Sequence, residues 1–66
     1  MKRKDRVAAH ISAYRMTMAL YRTNNRPIKD YEEFAREMGN ALKGRWDMEF
    51  NETIYHEAID YMREHP

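Results

Sequence analysis

The sequence predicts an all-α fold, a small three-helix bundle with a long N-terminal helix. Three segments carry apolar residues at steps of three and four, which is the period of an α-helix. Turn-forming and helix-capping residues separate these segments, and the 66 residues include only two Gly and two Pro. A composition of 42% hydrophobic and 35% charged residues is typical of a folded domain. Residues 1–66 are therefore expected to form a single domain.

Helix 1 is predicted over about residues 4–23 and has two apolar lines. One line consists of Val7, Ile11, Tyr14, Met18 and Tyr21. The second line consists of Ala9, Ala13, Met16 and Leu20. Because each residue turns the helix by about 100°, the two lines lie on different sides, and both sides need to be covered. Asn24 and Pro27 then mark the end of the helix.

Helix 2 is predicted over about residues 31–43. Asp30 can cap its first turn, and Glu33 stands three positions later, as in a capping box. The apolar face consists of Tyr31, Phe34, Ala35, Met38 and Leu42. Gly44 is expected to end the helix, and an earlier end at Gly39 is the alternative.

Helix 3 is predicted over about residues 52–64. Asn51 can cap it, with Phe50 packed against Tyr55 in a hydrophobic staple. The apolar face consists of Ile54, Tyr55, Ala58, Ile59, Tyr61 and Met62. In the link that precedes this helix, Trp46 is expected to lie in a loop and to close the open end of the bundle.

The net charge of +1 conceals an uneven distribution. Residues 1–29 contain eight Lys or Arg and one acidic residue, whereas residues 30–66 contain four Lys or Arg and ten Asp or Glu. Helix 1 carries a predicted basic strip that consists of Lys4, Arg15, Arg22 and, if the helix extends so far, Arg26. Helices 2 and 3 carry a predicted acidic ridge that consists of Glu33, Glu37, Glu57, Asp60 and Glu64. These residues either neutralise each other or face charged partners.

No motif for catalysis, for a cofactor or for a metal site is present. The chain has no Cys, and Ser12, its only serine, has no base one turn away on the helix. The three His residues do not form a set of metal ligands. His10 is expected at the boundary of the apolar face, and His56 is expected to pair with Asp60. The chain is therefore not expected to be an enzyme or to hold a metal or cofactor.

A cytoplasmic location is expected from three observations. The basic N-terminus is not followed by the apolar block of a signal peptide. No segment has the ~20 apolar residues of a membrane span, so a membrane partner is not expected. The lack of Cys agrees with a reducing compartment.

The second apolar line predicts a protein interface made of Ala9, Ala13, Met16 and Leu20. In so small a chain, unused apolar surface favours a homodimer or a complex with a larger protein. The leading hypothesis is a small regulatory or inhibitory protein that acts by protein contacts and comes from a phage or mobile element. The alternative is a nucleic-acid-binding module that uses the basic N-terminal arm and helix 1.

Overall fold

The computed structural model covers residues 1–66 and contains three α-helices and no strands. Helix α1 is Arg3–Thr23, α2 is Tyr31–Trp46 and α3 is Glu52–Glu64. The predicted all-α three-helix class and the long first helix are confirmed. None of the helices has both the length and the apolar character needed to cross a membrane.

Helix α1 is the central element because α2 and α3 pack on two different sides of it. The cluster between α1 and α2 consists of Ala9, Ala13, Tyr21, Phe34, Met38 and Leu42. The cluster between α1 and α3 consists of Val7, Ile54 and Ala58, with Ile11 packed against it. The backbones of α2 and α3 do not approach each other closely. The first apolar line of α1 is therefore divided between the two contacts, with Val7 and Ile11 packed on α3 and Tyr21 packed on α2. Of the second line, Ala9 and Ala13 pack on α2.

A buried histidine joins α1 to the start of α3. The side chain of His10 is fully buried, so its predicted boundary position is wrong. Its Nδ1 lies 2.8 Å from the carbonyl oxygen of Arg6, and its Nε2 accepts a hydrogen bond from the backbone N–H of Asn51 at 3.1 Å. A carbonyl oxygen can only accept and a backbone N–H can only donate, so the ring is neutral with its hydrogen on Nδ1. Burial lowers the pKa of His10, which favours this neutral form.

The start of α3 is fixed by its own residues as well. The Asn51 side chain accepts a hydrogen bond from the backbone N–H of Ile54 at 3.0 Å. On either side of this cap, the ring centres of Phe50 and Tyr55 are 5.5 Å apart. The predicted cap and hydrophobic staple are both confirmed.

Asp30 caps α2 as predicted, but the capping box is incomplete. The Asp30 carboxylate accepts a hydrogen bond from the backbone N–H of Glu32 at 2.9 Å. Glu33 does not return to the cap, because its carboxylate lies 2.7 Å from the guanidinium of Arg26. Glu33 therefore pairs with a charged guanidinium in place of the weaker hydrogen bond to the backbone N–H of Asp30.

Helix α2 is longer than predicted and continues through both of its glycines. It ends at Trp46, and Asp47 then adopts the left-handed backbone conformation, with a φ of 51°. Neither Gly39 nor Gly44 has a positive φ, so neither uses the freedom that makes Gly a helix terminator. The predicted end at Gly44 is therefore wrong, and so is the alternative at Gly39.

Trp46 is the last residue of α2 and not a loop residue. Its half-buried side chain packs against the cluster between α1 and α2. It also lines a shallow surface cavity together with Ala9 and Ser12 of α1. Trp46 therefore covers the end of that cluster from a helical position.

We predict that Gly44→Ala stabilises the protein by about 0.5–1 kcal/mol, because Gly costs about that much relative to Ala inside a helix. A Cβ at position 44 would meet no atom within 4 Å, so the change adds no clash. Unfolding in urea measures the difference in free energy. A loss of stability would instead indicate that α2 ends at Gly44 in the left-handed conformation, which Ala disfavours.

We also predict that stability falls as the pH drops below 6.5, the ordinary pKa of histidine. The pKa of His10 is lowered in the folded state, so the unfolded chain binds the proton more tightly. The contribution of His10 is complete above pH 6.5 and is lost as the pH falls to the folded pKa. One proton gives a slope of at most about 1.4 kcal/mol per pH unit.

Thermal unfolding between about pH 7.5 and about pH 5 tests this dependence, above the range in which most carboxylates titrate. His10→Gln should flatten the profile, because it removes the only fully buried histidine. A profile that is the same in His10→Gln and in the unsubstituted protein would contradict the role of His10.

Candidate interaction surfaces

Two of the four residues of the predicted apolar interface lie inside the monomer. Ala9 is 3% exposed and Ala13 is 0% exposed, and both pack in the cluster between α1 and α2. Met16 is half-buried, and Leu20 is 58% exposed. The predicted protein interface is wrong at Ala9 and Ala13, because α2 of the same chain covers this side of α1.

Three residues of the predicted basic strip, Lys4, Arg15 and Arg22, do lie together on the exposed side of α1. At about 100° per residue, they fall within about 20° of one another around the helix. None of the three forms an ion pair within the chain. The exposed small residues Ala8 and Ala19 lie beside them. We call these five residues the α1 basic face.

Arg26, the fourth residue of the basic strip, is not on the helix. Helix α1 ends at Thr23, and Asn25, with a φ of 51°, reverses the chain. The backbone N–H of Arg26 then bonds to the carbonyl oxygen of Tyr21 at 2.8 Å, as in a Schellman motif. The guanidinium of Arg26 lies 4.3 Å from the centre of the Tyr21 ring and also pairs with Glu33. Its placement in the strip is wrong, because the helix does not extend so far.

The predicted acidic ridge is divided between two helices, and cations from outside those helices pair with part of it. On α2, Glu33 and Glu37 lie 2.7 and 3.8 Å from the guanidinium of Arg26. On α3, Glu57 lies 2.6 Å from the guanidinium of Arg3. The expected neutralisation within the chain therefore occurs, but through Arg3 and Arg26. The basic residues of the α1 basic face do not take part.

The remaining residues of the acidic ridge have the pattern of a solvated helix face. Asp60 lies 3.8 Å from Arg63 on the same helix, and Glu64 is exposed. His56 lies 3.7 Å from Glu52, so its predicted pairing with Asp60 is wrong. Exposed pairs at a spacing of three or four residues contribute little to stability.

A surface that the sequence interpretation missed lies where the α1–α2 link meets the start of α2. We call it the corner patch, and it consists of Tyr14, Met18, Ile28, Tyr31 and Tyr55. Ile28 is 46% exposed and Tyr31 is 45% exposed. These residues surround an open groove of about 370 Å³ that is also lined by Phe34. The ring centres of Tyr31 and Tyr55 are 5.9 Å apart, so the aromatic side chains support one another.

The rim of the corner patch carries charges of both signs. Lys29 and Asp30 line the groove. The pKa of Tyr31 is raised above its ordinary value, mainly by burial and also by the nearby carboxylate of Glu52. The hydroxyl of Tyr31 therefore stays protonated at neutral pH and can donate a hydrogen bond to a partner.

Two features of the sequence could have located the corner patch. Ile28 is a large aliphatic residue directly after Pro27, outside every helical repeat, so no predicted face accounts for it. Tyr31 is the first residue of α2, where an apolar face can extend beyond the cluster on which the rest of the helix packs. Adjacent apolar residues without a place in the core indicate a surface contact.

No three His, Asp or Glu side chains lie close enough together to hold a metal ion. No protein family, curated protein or solved structure matches the chain.

We predict that Ala13→Glu prevents folding, because it places a carboxylate without a partner in the interior. Leu20→Glu, on the same predicted line but exposed, should change stability by less than about 0.5 kcal/mol. Circular dichroism during thermal unfolding compares the two variants. If Ala13 lay in an interface between two chains instead, Ala13→Glu would give a folded 8.1 kDa monomer in light scattering.

Proposed function

We propose that the protein is a small regulatory or inhibitory binding protein that acts through contact with a larger protein. The observation that carries this proposal is the corner patch, where Ile28 and Tyr31 stand half-exposed beside a groove lined by aromatic side chains. Single exposed apolar residues are common on protein surfaces and need no explanation. A contiguous group of them around a groove is typical of an interaction site.

The residue types of the corner patch support a protein partner. Tyr and Met are enriched at the centres of protein interfaces, where a few large side chains contribute most of the binding energy. The groove of about 370 Å³ can receive one projecting apolar side chain of the partner. Tyr31 and Tyr55, whose rings already contact each other, require little further ordering on binding.

The charged rim of the corner patch would orient a bound partner. Lys29 and Asp30 present opposite signs at the edge of the same groove. A partner with complementary charges would therefore be accepted in one orientation and disfavoured in the reverse one. Such exposed charges affect association rate and specificity more than affinity.

A larger protein fits this surface better than a second copy of the chain does. A symmetric homodimer needs a surface that is complementary to itself, whereas a groove needs a partner that projects. The apolar line expected to form a homodimer is also half occupied inside the monomer, at Ala9 and Ala13. The free protein is accordingly expected to scatter light as an 8.1 kDa monomer.

We predict that Ile28→Asp/Tyr31→Ala weakens partner binding by at least about 30-fold, because truncating hot-spot residues costs about 2 kcal/mol or more. The matched control is Leu20→Asp/Tyr61→Ala, which also changes one exposed aliphatic residue and one exposed tyrosine. Because both control residues lie outside the corner patch, the control should bind like the unsubstituted protein.

The immobilised protein first captures its partner from a nuclease-treated lysate of the native host. Calorimetric titration of the purified partner against each variant then gives the affinities, and circular dichroism establishes that each variant is folded. Undiminished binding by Ile28→Asp/Tyr31→Ala, or an equal loss in the control, would show that the corner patch is not the contact surface.

A further inference from the structure

We propose that the α1 basic face docks on the phosphate backbone of double-stranded DNA. This face shares no residue with the corner patch, although Arg22 borders Met18 and Ile28 of that patch, and the inference does not rest on the proposed function. Its three cations, Lys4, Arg15 and Arg22, are all exposed on the longest helix of the fold. These three residues of the basic N-terminal segment therefore lie on one exposed side of α1.

The charge of the α1 basic face is not neutralised within the chain. Arg3 and Arg26 form ion pairs with acidic residues of α3 and α2, whereas the three cations of the face form none. The single acidic residue of α1, Asp5, lies about 100° round the helix from Lys4. A polyanion can therefore approach this side of α1 without meeting a carboxylate at its centre.

The shape of the face favours phosphates over a protein surface. Ala8 and Ala19 lie on one side of the cations, and Ile11 and Met18, which pack against the two apolar clusters, lie on the other. A protein partner would need large exposed side chains at the centre of the contact, and the large apolar residues beside the cations, Ile11 and Met18, are partly buried against the two clusters. Phosphate contacts need only cations and close approach.

The spacing of the two arginines matches the dimensions of duplex DNA. Arg15 and Arg22 are two helical turns apart, about 11 Å along the axis of α1. The major groove of B-DNA is about 12 Å wide, so a helix that crosses it places one guanidinium near the phosphates of each rim. Lys4 lies about 17 Å beyond Arg15 and extends the contact along the duplex.

The acidic residues of α2 and α3 do not oppose this docking. Helix α3 packs beside the α1 basic face, on Val7 and Ile11, and its Glu57 lines the same groove as Lys4. Helix α2 packs on the far side of α1, on Ala9 and Ala13. Glu33 of α2 and Glu57 of α3 are already paired with Arg26 and Arg3. Because α1 is held on two sides, its cations keep their spacing when the duplex binds, and only their side chains become ordered.

Fluorescence anisotropy with a labelled duplex of about 20 base pairs tests the proposal at several salt concentrations. Three phosphate contacts give a slope of about −2.7 for log affinity against log salt. Binding should therefore weaken about 40-fold between about 50 and about 200 mM salt. Arg15→Glu/Arg22→Glu should leave one contact and reduce the slope to about −0.9.

The matched control is Arg36→Glu/Arg45→Glu, which makes the same change in net charge at two exposed arginines of α2 that form no ion pair. It should bind the duplex like the unsubstituted protein. An equal loss in this control would overturn the proposal in favour of a nonspecific effect of net charge. Tighter binding to the single strand or to a polyglutamate peptide would also overturn the proposal. Affinity that is independent of salt would overturn it as well.

Discussion

The hydrogen bond between His10 and the backbone of Asn51 is the contact on which the arrangement of α3 depends. The N–H of a helix-capping residue has no partner within its own helix, and here the ring nitrogen of His10 accepts it. The Asn51 side chain, held in this position, can cap the N–H of Ile54. The adjacent Phe50 ring lies 5.8 Å from the His10 ring. One buried neutral imidazole therefore joins the first residues of α3 to α1, at the end of the apolar contact that Val7 makes with Ile54 and Ala58.

With α3 held on one side and α2 packed on another, α1 is buried over an arc that includes polar residues. Thr17 is buried at 1% exposure because its hydroxyl donates to the carbonyl oxygen of Ala13 at 2.8 Å. His10 is buried because both of its ring nitrogens have partners. A buried polar group that is fully hydrogen-bonded avoids most of the cost of leaving water. The arc that remains exposed is the one that carries Arg15 and Arg22.

Features that depend on neighbours in the chain could be predicted, whereas features that depend on distant contacts could not. The Asn51 cap and the periods of the three helices follow from local spacing, and the structure confirms them. The burial of His10 and Ala13 depends on where α3 and α2 pack, which periodicity does not encode. Gly44 misled the prediction because Gly at the end of a helical pattern usually terminates it. At this position the packing of α2 outweighed the weak helix preference of Gly.

The same distinction applies to the surfaces. Lys4, Arg15 and Arg22 could be grouped in advance because all three lie on one continuous helix, while Arg26 lies beyond a chain reversal that its neighbours Asn24 and Asn25 only suggest. The corner patch combines residues from both other helices and a link with Tyr14 and Met18 of α1, so no single helical pattern contains it. Helix α1 contributes to both surfaces and is fixed on two sides. A molecule docked on its basic face would therefore have a defined orientation relative to the corner patch. Two partners bound at these surfaces would then have a fixed relative orientation, which a flexible basic tail could not provide.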